Sequence, residues 1–247
     1  MFDPNYKFTC VDRFLKYVKY DTQSDEDSTS FPSTEKQKIL SKDLAEELKQ
    51  LGLKDAHMDE WGYVMATLPS NTNKKVDPVA FISHVDTSPA VSGKDVKPVI
   101  RKNYQGGDIK LEHGGWVIKE DENPYLKEMI GNDIITTDGT TLLGADNKAG
   151  VAEIVDAINY LLTHPEVKHG DIKVCFTPDE EVGRGTEKID LKKLGAKYAY
   201  TIDGSSRGEL ETETFSADAV VIKFFGKNIH PGYAKDIMIN SIKIASR

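Results

Sequence analysis

Histidine and acidic residues gather at four places in this 247-residue sequence in patterns that could do chemistry. In His84-Val85-Asp86 a neutral imidazole can ligate a metal while the carboxylate two residues on holds its other ring nitrogen. Glu180-Glu181 sets two carboxylates side by side, which repel unless a cation or a proton separates their roles. In a metal site one of them ligates and the other stays free as a general base. Asp146 can bridge two cations through its two oxygens, and Asp203 can serve as a terminal ligand. Taken singly, each has an ordinary alternative: a strand-end histidine, an acidic turn, a helix N-cap, a turn before Gly204. Taken together, one imidazole and several carboxylates form a donor set for a divalent metal.

The flanking sequence determines whether these groups can meet. Each of four segments is a short apolar strand candidate or an apolar lead-in: VAFIS (79–83) runs into His84 and Asp86, LLGA (142–145) into Asp146 and then a strongly apolar helix, IKVCFT (172–177) into Asp179, Glu180 and Glu181, and YAYTI (198–202) into Asp203. Short apolar strands alternating with helices predict an α/β fold, a mostly parallel sheet flanked by helices. Ligands of such sheets bind outside the carboxyl ends of the strands, so the four clusters should converge on one rim. The pattern also predicts a first helix in the opening twenty residues, with Phe8, Val11, Phe14, Leu15 and Val18 on one face. A second runs from a Thr34/Gln37 capping box to Gly52, and a strand covers Gly62–Leu68. Residues 88–132, rich in Gly, Pro, Lys and Asp, read as an insertion with short strands. Beyond Ser216, Val220, Ile222 and Phe224 alternate as a strand, NIHPGYAKD as a turn, and a helix begins from Ile237.

Composition narrows the classes of function. The net charge of −8, with 32 basic against 40 acidic residues, excludes a general nucleic-acid or anionic-membrane binder. No apolar run approaches the roughly 18 residues that span a bilayer, and the N-terminus does not read as a signal peptide, so a soluble, cytoplasmic protein is expected. Cys10 and Cys175 are too few for a disulfide framework, and Cys175 reads as a small core residue. His57, His113, His164 and His169 read as surface residues.

FISHVDTSP, TTDGTTLLGADNKAG, HGDIKVCFTPDEEVGRG, YTIDG and NIHPGYAK resemble, in order and spacing, the co-catalytic zinc exopeptidase family that carries a lid domain. The resemblance covers nearly the whole chain. It implies a metallo-aminopeptidase that releases the N-terminal residue of tripeptides, with two zinc ions per complete site and a short peptide as substrate. Carried over by position, His84 and Asp203 are terminal ligands of one zinc, Asp146 is the bridging carboxylate and Glu181 ligates the second zinc. Glu180 is the general base, Asp86 stands behind His84, and His230 contacts the substrate and stabilises the oxyanion. The implied domains are 1–214, the catalytic domain, and 215–247, the first strand and helix of an α+β lid that is also a candidate homodimer surface.

Two departures accompany the resemblance. Asn147 stands where the family has a second aspartate, and the family joins this pair by a cis peptide. The family's chain also continues past this point to supply a final histidine ligand, so the second metal site is expected to be incomplete here. The readings to be separated are the aminopeptidase, a related di-zinc deacylase or dipeptidase, and a catalytically incomplete fragment.

Overall fold

The protein is described by a computed structural model in which residues 3–204, 207–213, 216, 218 and 220–247 are placed. In chain order the elements are α1 (Cys10–Tyr17), α2 (Gln37–Leu51), β1 (His57–Met58), β2 (Val64–Leu68), β3 (Val79–His84), β4 (Pro98–Arg101), β5 (Ile109–Lys110) and β6 (Val117–Ile118). They continue with β7 (Ile134–Thr137), α3 (Ala145–Thr163), β8 (Ile172–Thr177), α4 (Leu191–Leu194), β9 (Tyr198–Thr201) and α5 (Ser241–Ala245). The chain divides into two compact units, 1–205 and 206–247. The sequence places that division at 214/215, which lies outside the described residues.

A five-stranded sheet in the order β1-β2-β8-β3-β9 organises the first unit. β3 lies parallel to both β8 and β9, whereas β1 and β2 add an antiparallel edge. The sheet is therefore mixed, and its parallel part carries the chemistry-bearing ends. Leu40, Leu44 and Leu48 of α2, Val151, Val155 and Ile158 of α3, and Phe14 and Tyr17 of α1 form one core with Val64, Val174 and Phe176 of the sheet. On the other face Tyr63, Met65, Ala80 and Cys175 pack with Leu194 of α4. β8 alternates between these two cores, which is why its sequence is almost continuously apolar.

Several local expectations are corrected. The first helix begins only at Cys10, because Thr9 spends its backbone N–H and its hydroxyl on the Asp156 carboxylate; Phe8 precedes the helix and both it and Val11 are exposed. Thr34 and Gln37 form no capping box: helix α2 has no side-chain cap bond, Thr34 Oγ1 donates to the Gln23 carbonyl, and Gln37 Nε2 bonds Asp179 and Thr34 Oγ1 side chain to side chain. Gly52 ends α2 as expected, in the left-handed conformation that glycine adopts without a Cβ clash. Of the two readings of LLGA, the apolar lead-in holds and the strand does not: it is loop up to the first residue of α3, with Leu142 N–H bonded to the Ser92 carbonyl. The insertion reaches past 132, because β4 pairs with β7.

In the second unit no ladder forms over the described residues of 220–224, whose alternating side chains stay exposed; the described pairing is a single bridge, Lys227 to Ile239. The helix there is the short α5, capped by the Asn240 side chain at Ile242 and Lys243 N–H. No helix among the described residues is long and apolar enough to cross a membrane.

Candidate metal centre

The parallel register brings three of the four clusters to one rim. His84 ends β3 opposite Thr177, the last residue of β8, and Ile82 pairs with Thr201 at the end of β9. Past these ends, Val85 N–H bonds the Thr177 carbonyl, and Ile202 N–H the Ile82 carbonyl, so the strands stay parallel up to the functional residues. The fourth group arrives differently. Asp146 stands in a kinked first turn of α3, with non-helical dihedrals at Asp146 and Asn147 and a cis peptide between them, as the resemblance implies. α3 comes close to the sheet here. A Cβ on Gly150 would lie 2.1 Å from the Ile202 carbonyl oxygen and 2.6 Å from Ser83 Oγ.

His84 is 2% exposed and faces outward through Nε2. Nε2 lies 2.9 Å from Asp146 Oδ1, and 3.8 Å from both Glu180 Oε2 and Asp203 Oδ2. Its other nitrogen, Nδ1, meets the Asp86 carbonyl at 3.1 Å and Asp86 Oδ1 at 3.3 Å, which favours a proton on Nδ1, so that Nε2 is the nitrogen a metal would take on displacing its proton. Donor atoms of His84, Asp146 and Glu181 lie within 4.8 Å of one another, as do those of His84, Glu180 and Asp203. All five residues assigned to ligation or base chemistry are thus in one cluster. Glu180, read as the base, is as near a donor as Asp203.

Asp86 does more than hold the imidazole. Fully buried, it accepts Glu180 N–H at Oδ1 (3.0 Å) and Glu181 N–H at Oδ2 (3.1 Å). One carboxylate thereby ties the end of β3 to the turn after β8. Spacing along the chain shows the link to His84 but not this second grip, which only tertiary pairing reveals.

The electrostatics are those of crowded anions without a cation. Burial raises the Glu181 carboxyl, and the Asp146 charge raises it further. Burial also lifts Asp203 to about 6, with Asp146 and Glu180 adding to the rise and His84 opposing it. At His84 burial works to lower the pKa, yet the hydrogen bond and charge of Asp86, with Asp203 and Glu180, push it up to about 9. Behind the cluster, burial brings Lys148 down to about 8, its ammonium donating to the Tyr20 carbonyl. A hard-to-borderline dication fits the donor set and neutralises the repulsion.

Beside the cluster opens a cavity of about 340 Å³ lined by Asp146, Gly150, Glu153, Ile202 and Asp203. Asn147 is buried, and its Nδ2 has no hydrogen-bond partner. The other histidines lie elsewhere: His164 stacks on Tyr160, His57 is exposed, and Cys175 is buried in the core with its thiol pushed up to about 12. His230 belongs to the second unit, where its Nδ1 accepts Gly232 N–H at 3.1 Å. Sequence reasoning passes over Ser33, gives Gln37 only a capping role and Asp179 only a place in the acidic cluster; the three are buried and mutually bonded under the Glu180-Glu181 turn.

Solved structures share this partly parallel sheet architecture. Aminopeptidase PepT from Bacillus cereus superposes with a TM-score of 0.57 at 25% identity, covering 96% of this chain and 54% of that one. A tripeptidase from Staphylococcus aureus gives 0.54 at 26% identity over 80% of this chain and 43% of its own. Among curated proteins the chain is similar to peptidase T: 56% identical over 235 residues in Caldanaerobacter subterraneus subsp. tengcongensis and 58% over 238 residues in Alkaliphilus oremlandii. Each alignment takes in 95% of this chain, which spans 58% of the length of these relatives. No protein-family model matches the chain.

Proposed function

We propose that this chain carries the metal-binding face of a cytoplasmic, zinc-dependent aminopeptidase that releases the N-terminal residue of tripeptides. The observation that carries the reading is the meeting of His84, Asp146, Glu180, Glu181 and Asp203 at one sheet rim, in a chain this similar to peptidase T. His84 Nε2 and Asp203 would hold one zinc, Glu181 the second, and Asp146 both. When bound, two zinc ions would polarise the scissile carbonyl and make a water nucleophilic near neutral pH.

The chain's own groups do the rest. Asp86 keeps a proton on His84 Nδ1, so that Nε2 is the nitrogen that gives up its proton and turns to the metal. Glu180, its carboxylate half-exposed and directed at the cluster, takes the proton of the attacking water at Oε2 and delivers it to the departing amine. His230 is assigned to substrate contact. Its Nδ1 accepts from Gly232, so the neutral ring carries its proton on Nε2, the nitrogen that would donate to an oxyanion. The peptide substrate and a homodimer through the second unit belong to the same proposal.

The test is hydrolysis of an unblocked tripeptide and its N-acetylated counterpart by the purified chain with zinc, beside Glu180→Ala. The expected result is release of the N-terminal residue from the free peptide alone, reduced at least ~10²-fold in the variant. Cleavage of the acetylated peptide in preference would replace the aminopeptidase by a deacylase. No release from either would leave an inactive metal-binding fragment, and activity independent of Glu180 would overturn the mechanism.

A further inference from the structure

One buried carboxylate next to the metal cluster has no part in the roles above. Asp179 precedes Glu180 directly, is completely buried, and holds a left-handed backbone conformation with φ of 57°. Only a few per cent of non-glycine residues adopt this region, and aspartate is among the few that tolerate it. A strained dihedral persists only where the surroundings over-determine it. Here three donors do so. Ser33 N–H bonds Asp179 Oδ2 at 2.6 Å, and Ser33 Oγ and Gln37 Nε2 bond Oδ1 at 2.5 and 2.7 Å. Gln37 Oε1 in turn accepts Asp179 N–H at 3.1 Å, so the amide grips both the backbone and the side chain of the same residue. Gln37 is itself fully buried at the first turn of α2, and its Nε2 also reaches Ser33 Oγ and Thr34 Oγ1.

The turn is thus held from two sides. From β3, Asp86 takes the Glu180 and Glu181 amides; from α2 and the loop before it, Gln37 and Ser33 take Asp179. The left-handed residue is where β8 turns away from its strand direction, and Arg184 N–H closes the loop on the Asp179 carbonyl at 2.9 Å. Without it an extended residue at 179 would carry the next two side chains off the rim, because successive side chains of a strand point to opposite faces.

We propose that Asp179, clamped by Ser33 and Gln37, is the positioning residue that aims Glu180 and Glu181 at the metal cluster. This rests on the metal-site reading above. The clamp touches no reacting atom; it acts through the backbone of the turn. A helix-start glutamine more than a hundred residues away thereby belongs to the site, although its spacing to Thr34 suggests only a cap.

The test uses two readouts on the 247-residue chain and its Asp179→Ala, Asp179→Asn and Ser33→Ala variants. Amide hydrogen exchange at Glu180 and Glu181, measured without metal, reports the turn itself. Zinc affinity, measured by competition with a chromogenic chelator, reports what the turn is for. In Asp179→Ala we expect at least tenfold faster exchange at both amides with β8 and α3 amides protected as in the parent. We also expect a fall of about 10–100-fold in zinc affinity, the range seen when a partner behind a metal ligand is removed. Asp179→Asn, which tolerates the left-handed backbone and keeps an acceptor, should restore most of both. Unchanged exchange in Asp179→Ala would overturn the clamp, and faster exchange with undiminished zinc affinity would overturn its role in aiming the ligands. Should Asp179→Ala fail to fold, Ser33→Ala, which leaves the Ser33 amide donor in place, decides by the same two measures with a smaller change. Failure of the parent to bind zinc would contradict the metal reading, and the exchange data would still decide whether the clamp holds the turn.

Discussion

At the scale of single residues, the site is a contest between like charges and the groups that hold them together. Asp86 is the clearest case, because it serves His84 with one oxygen and both backbone amides of the Glu180-Glu181 turn with its carboxylate. Asp86→Ala should therefore lower zinc affinity about 10–100-fold while leaving every proposed ligand in the sequence, as chelator competition would show. The histidine-to-aspartate link is legible in the HxD spacing; the grip on the turn is not, because it joins residues more than ninety positions apart. The raised pKa values give a pH dependence with a definite sign. His84 at about 9 binds its proton more tightly than an unfolded histidine, so without metal its contribution to stability is complete below about 6.5 and lost as pH rises through about 9. Asp203, raised to about 6, adds a loss in the same direction as pH rises through that value. In chelator the melting temperature should thus receive a falling contribution from these two groups between about pH 5 and 9. Because zinc must displace the His84 proton, its stabilising increment should be larger at pH 8 than at pH 6. Calorimetric melting with and without zinc at the two pH values would check this.

At the scale of elements, strand continuity and helix packing decide where the side chains arrive. β8 is legible in the sequence at its true bounds, 172–177, because a strand buried on both faces is an apolar run with clear ends. LLGA looks alike and is a loop, since Gly144 leads straight into the kinked start of α3 and no strand among the described residues pairs with it. Val220, Ile222 and Phe224 alternate like a strand yet form no ladder, for alternation specifies a face and not a partner. The close approach of α3 at Gly150 is equally hidden, though it brings Asp146 to the rim. Gly150→Ala should show it. In an exposed helix that change stabilises, by up to about 1 kcal/mol, whereas here the methyl would press on the Ile202 carbonyl next to Asp203. Destabilisation of about 1–3 kcal/mol in denaturant unfolding is expected, with weaker zinc binding. A stabilised variant would contradict the packing.

At the scale of the whole molecule, four distant segments supply one cluster, so the site exists only when the first unit is folded. Metal binding and folding are then linked, and zinc at 100 times its dissociation constant should add about 2.7 kcal/mol of stability. The chain spans 58% of its relatives' length. The central claim is that the strand-end residues form a metal site. Its most direct measurement is equilibrium zinc binding to the chelator-stripped chain, beside Asp146→Ala. At least one zinc should bind tightly per chain in the parent, and that binding should be lost or severely weakened in the variant. No binding in the parent, or equal binding in both, would contradict it.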